Sequence, residues 1–166
     1  VNQKAGFDAI VGNPPFMGGK KLTAWFGKSY REDLVATLAN GERGSVDLVA
    51  YFFLRAYSLL VARGQLGLLA VNSIAEGETR KVGLEQLIRL NAEIVSAYPN
   101  EEWPGAAAVV TSRVHIFKGS WRGVRRLSRK AVPHISPLLT VGSAWTPRQL
   151  TANQGLAFVG SYVLGA

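Results

Sequence analysis

The sequence predicts an α/β chain: half of a doubly wound sheet whose last strand runs antiparallel. Three observations carry this. Two short apolar runs, Phe7–Gly12 and Leu66–Val71, each stop at an Asn, as buried parallel strands stop at a sheet's rim. Segments with apolar residues at three- and four-residue spacing follow each of them. The last apolar run alternates with polar residues instead, which marks a wetter face on an antiparallel edge or final hairpin.

Taken in order, Phe7–Gly12 is a strand closed by Asn13-Pro14-Pro15, because proline supplies no ladder donor and restricts the residue before it. Residues 17–44 hold Gly18, Gly19, Gly27, Gly41 and Gly44 among mixed charges and read as a mobile loop with a short helix around Tyr30–Leu38. A helix is expected from a Ser45 cap to Ala62, with Asp47 in its first turn and Arg63-Gly64 ending it. Leu66–Val71 is the second strand, ending at Asn72-Ser73. Thr79–Leu90 is a second helix, Glu93–Tyr98 a third strand and Ala107–Phe117 a fourth. Beyond Gly119 the periodicity fades into a basic, irregular extension. The first strand lacks a neighbour on one side, so the chain reads as a piece of a longer protein.

Composition narrows the function. The 166 residues are 48% apolar, enough for a core, and contain no cysteine, which excludes disulfides, thiolate zinc sites and cysteine catalysis. No apolar run approaches the roughly 20 residues of a membrane helix, and no signal peptide opens the chain, so the cytoplasm is the expected compartment. The formal charge of +8 is uneven. Residues 1–102 hold 11 basic and 11 acidic residues; residues 103–166 hold 8 basic and no acidic ones. Lys118, Arg122, Arg125, Arg126, Arg129 and Lys130 form a block that predicts salt-sensitive binding to a polyanion, foremost duplex DNA.

Asn13-Pro14-Pro15-Phe16 is the sharpest local pattern. An Asn carbonyl and a proline carbonyl are two acceptors, fixed by rigid backbone, that suit the two hydrogens of an exocyclic amine. An aromatic ring two residues on can stack on the heterocycle that bears it. Such a pair would orient the amine lone pair and stabilise positive charge developing on nitrogen. Its place beyond a strand's carboxyl end is where open α/β sheets bind ligands.

FDAIVGNPPF resembles the Asn-Pro-Pro-aromatic signature of S-adenosylmethionine-dependent DNA adenine-N6 methyltransferases. GNPPFMGGKK, DLVAYFFLRAYSLL, GQLGLLAVNSIAEGETR and EEWPGAAAVVTSRVHIFKG are similar to the methylase region of single-polypeptide type II restriction–modification enzymes. LTANQGLAFVGSYVLGA resembles the segment leading into that family's target-recognition region. The resemblance implies the C-terminal half of a Rossmann-like class I methyltransferase sheet. It divides the chain into a partial catalytic domain, 1–119, and a basic linker toward target recognition, 120–166. It implies that Asn13 and Pro14 accept from N6 of a flipped adenine, that Pro15 is scaffold and that Phe16 stacks on the base. Lys20 and Lys21 would lie on a loop closing over DNA, and Asn72 on the pocket wall.

The departures are equally specific. The Gly-rich loop and the ribose-binding acid that hold S-adenosylmethionine are absent, so the cofactor site is expected upstream of Val1, on the rest of the same protein or on a complementary chain. Methylation of a glutamine side chain or an RNA amine, or a catalytically inactive DNA-binding remnant, are the alternatives. Asp8 reads as a structural edge acid, Trp103-Pro104-Gly105 as a turn, and His115 and His134 as too few and too scattered for a metal site.

Overall fold

The computed structural model describes residues 6–103 and 109–142. The elements are β1 (Phe7–Gly12), α1 (Gly19–Thr37), α2 (Leu48–Leu59), β2 (Leu60–Val71), α3 (Gly77–Arg80), α4 (Gln86–Arg89), β3 (Ala92–Glu102), β4 (Val110–Lys118), β5 (Arg125–Leu127) and β6 (Lys130–Val132). A π-helical turn, Lys81–Glu85, joins α3 to α4, so the helix expected over Thr79–Leu90 is present with a bulge. One mixed sheet runs in the order β1-β2-β4-β3-β5-β6. β1 pairs parallel with β2, and β4 lies antiparallel to both β2 and β3.

Several expectations need correction. The glycine-rich segment 17–44 is mostly helix: α1 spans Gly19–Thr37 and breaks only at Gly27, whose φ of 83° is non-helical. Leu22 and Val35 are buried along it, and that tertiary packing outweighs the helix-breaking glycines. Asp47, not Ser45, caps α2: its backbone is extended and its carboxylate accepts from Val49 N–H at 3.0 Å. α2 also stops at Leu59 rather than Ala62. Leu60 already pairs with Phe7 of β1, and Arg63-Gly64 form a bulge in β2, with Arg63 at φ 66°. Parallel pairing with β1 claims these residues before a helix terminus can.

The alternating strand is not an edge. β4 sits between β2 and β3, with Arg113 and His115 exposed on one face and Val114 and Ile116 buried on the other. Its alternation breaks at Thr111, which is buried, and Val110, which is exposed. Nor are the described residues beyond Gly119, up to 142, wholly irregular. β5 pairs parallel with β3 and β6 antiparallel with β5, while Ile135 and Leu139 join the common core. The sheet therefore continues across the expected boundary at 119. The apolar C-terminal segment LTANQGLAFVGSYVLGA lies outside the described residues.

The core lies between the sheet and its helices. Tyr51 and Phe53 of α2, Leu66 of β2, Leu84 and Leu87 from the bulged helix and Ile116 of β4 are fully buried. Truncating Phe53 to alanine would cost about 3–5 kcal/mol in such packing. β1, by contrast, lies at the edge of the sheet: Phe7 is 58% and Val11 86% exposed. No helix among the described residues is long and apolar enough to cross a membrane.

Candidate functional site

Because β1, β2 and β3 run in one direction, their carboxyl ends share one rim of the sheet. Asn13 follows β1, Asn72 follows β2 and Trp103 follows β3 on that rim. Asn13 is exposed, Pro14 is buried and Phe16 is half-buried against the core. The tail of the motif is tied down twice: Met17 N–H donates to Asp47 Oδ1 at 3.2 Å, and Leu48 N–H donates to the Met17 carbonyl at 2.9 Å.

A cavity of about 240 Å³ opens beside the motif, lined by Asn13, Phe16, Leu69, Trp103, Val109 and Thr111. It combines one amide, two aromatic rings and an apolar floor, which suits a flat heterocycle carrying a polar edge. Trp103 is the residue that the sequence reading missed. Its Trp-Pro-Gly context reads as a turn, and only the pairing of β3 with β4 brings it opposite Asn13. Its backbone N–H donates to the Val109 carbonyl at 3.0 Å. Asn72 does not line this cavity: its Oδ1 accepts from the Ser112 hydroxyl at 3.3 Å. Asp8 lies exposed on the edge strand.

The basic candidates are dispersed. Lys20 and Lys21 stand at the start of α1 beside a second, more polar hollow that also includes Ser45, Asp47, Ser73 and Thr79. Lys118 Nζ donates to the carbonyls of Tyr57 (3.0 Å) and Leu60 (2.7 Å), and Arg125 pairs with Glu93. These two charges bind the protein's own groups. Arg122, Arg126, Arg129 and Lys130 are exposed. On β4, the His115 ring lies over Gly67, where a Cβ would come within 3.3 Å of Nδ1. Partial desolvation of the ring where it lies on Gly67, and then the neighbouring Arg113 guanidinium, hold its pKa below the usual 6.5, although the residue as a whole is exposed.

Residues 1–97 match the family model of the Eco57I restriction-modification methylase. The chain belongs to the Eco57I methylase family. No curated protein matches it. Among solved structures, this methylase-family chain is similar to the type IIL restriction-modification enzyme MmeI in complex with DNA, with 23% identity and a TM-score of 0.67 over 82% of its residues. It is also similar to a Listeria monocytogenes structure described as a class I S-adenosylmethionine-dependent methyltransferase, with 14% identity and a TM-score of 0.53 over 74% of its residues. The chain spans 20% of the first of these and 37% of the second. The mixed six-stranded sheet is consistent with the class I methyltransferase fold.

Proposed function

We propose that this chain is the target-base part of an S-adenosylmethionine-dependent DNA adenine-N6 methyltransferase from a cytoplasmic restriction–modification system. The observation that carries the reading is the rim cavity. There Asn13, immediately before the rigid Pro14-Pro15 pair, lines the same space as Phe16 and Trp103. The Asn13 side-chain oxygen and the Pro14 carbonyl accept the two N6 hydrogens of a flipped adenine, while Phe16 stacks on its ring. As nitrogen gains positive charge these acceptors bind more strongly, and that difference accelerates the reaction.

The described residues do not fit the cofactor. The groove of about 450 Å³ between α2 and the ends of β1 and β2, lined by Ile10, Gly12, Asn13, Pro14, Pro15, Phe52, Arg55, Ala56, Leu59 and Leu68, offers no carboxylate for ribose hydroxyls. Together with the exposed Phe7 and Val11, this supports a sheet completed by polypeptide outside this segment, which then holds the methyl donor.

The test uses the intact protein and a duplex containing its target, with N6-methyladenine measured by mass spectrometry of digested DNA. Asn13→Ala is expected to lower kcat by at least a hundredfold while leaving cofactor affinity within about twofold. Full activity of Asn13→Ala would overturn the amine-orienting role. Methylation of glutamine peptides or RNA in preference to DNA would replace the substrate, and duplex binding without methylation would leave a binding remnant.

A further inference from the structure

The sheet register sorts the basic block into two groups that sequence order mixes. Gly12 pairs with Leu68, Leu68 with Val114, Val114 with Ala97 and Ala97 with Leu127. One row thus crosses β1, β2, β4, β3 and β5. The residues one step beyond that row on the same rim are Asn13 at one end and Ser128 at the other. Ser128-Arg129 is the turn joining β5 to β6, and its start is fixed by Ser128 N–H donating to the Ala97 carbonyl at 2.9 Å. Lys118 ends β4, Arg125 begins β5 and Arg122 lies in the connection between them, all toward the far rim.

The turn carries a second signal. Leu127 pairs with Lys130, so the two intervening residues make a two-residue hairpin turn with positive φ at both, 47° at Ser128 and 71° at Arg129. Gly or Asn ordinarily fills these positions, because a Cβ is disfavoured there. An arginine held in that conformation is exposed, and its charge reaches Glu101 at the end of β3, whose carboxyl lies below its usual range through Arg113 first and Arg129 last. Glu101 is itself paired to Arg113 at 2.6 Å. With Lys130 and Arg126 also exposed, the turn presents three cations, against two carboxylates at that end of β3: Glu102, which is exposed, and Glu101, whose side chain is 38% exposed and already paired to Arg113.

We propose that the β5–β6 turn is a phosphate grip for duplex DNA, in which Arg129 and Lys130, flanked by Arg126, hold the backbone beside the base captured at Asn13. This rests on the adenine-methyltransferase reading above. Four strand spacings separate Asn13 from the turn, about 19 Å, or about five to six nucleotide steps along one DNA strand. The grip positions DNA and reads no sequence, since phosphate contacts carry none.

The test compares two pairs of substitutions of equal charge in the intact protein, Arg129→Gln with Lys130→Gln on the rim and Arg63→Gln with Arg122→Gln on the far side. The rim pair is expected to lower duplex affinity ten- to a hundredfold near 0.1 M salt and to flatten the slope of log K against log salt by about two. The far pair should change neither. Arg129→Gly, which relieves the turn, should keep or raise Tm while weakening DNA binding; unchanged binding in that variant overturns the grip. Equal losses from both pairs, or no loss from the rim pair in a protein that still methylates DNA, overturn the grip alone. A wild-type protein that neither binds nor methylates duplex DNA overturns the underlying reading with it.

Discussion

A single oxygen of Asp47 joins the motif to the helix behind it: Oδ1 accepts from Met17 N–H at 3.2 Å and from Val49 N–H at 3.0 Å. The carboxylate is buried, at 7% exposure, and its own backbone N–H donates to Thr79 Oγ1 at 3.1 Å. The turn that presents Asn13 is therefore held at one end by β1 and at the other by the N-terminus of α2. Charge-assisted bonds of this kind are stronger than neutral ones, and the helix dipole favours an anion there.

Asp47→Ala should lower stability by about 1–2 kcal/mol in urea denaturation, by removing a cap and leaving Met17 N–H unpaired. It should also lower the single-turnover rate of methylation more than DNA affinity. Asp47→Asn, which keeps an acceptor oxygen, should recover most of both. Equal activity in Asp47→Ala and wild type would show that the motif holds its shape without this tie.

Phe16 and Trp103 line one cavity, so their contributions to base capture should be coupled. Each alanine substitution is expected to cost about 1–3 kcal/mol of binding to a duplex with 2-aminopurine at the target position, read by fluorescence. The double substitution should cost less than their sum, because either ring alone is a poorer clamp. Strict additivity would place the two rings on different ligands.

His115 gives a pH signature. A base whose folded pKa is depressed binds its proton less well folded than unfolded, so stability is full above about 6.5 and declines as pH falls through the range below it. The decline levels off beneath the folded pKa. Denaturant titrations of His115→Gln should be flat across this window, where the wild type slopes. Glu101 contributes separately: its carboxyl is held below the usual 4.5 by Arg113, so that stability is lost only under more acidic conditions.

The sequence by itself determined the strands that carry the motif, since apolar runs ended by prolines or polar residues are local signals. Phe7–Gly12 and Leu66–Val71 are where their patterns place them, and Asn13 follows the first. The chemistry of Asn-Pro-Pro-Phe was likewise legible, because acceptor geometry and backbone rigidity belong to adjacent residues. Tertiary structure alone decided three things. It set the middle position of β4, because alternation reports a half-wet face and not which neighbours pair with it. It brought Trp103 opposite Asn13, through a hairpin whose register no local spacing specifies. It also separated Arg129 and Lys130 from Lys118 and Arg125. Four charges within thirteen residues look alike in sequence, yet strands that reverse direction put them on opposite rims, where some meet carbonyls and carboxylates and others meet solvent.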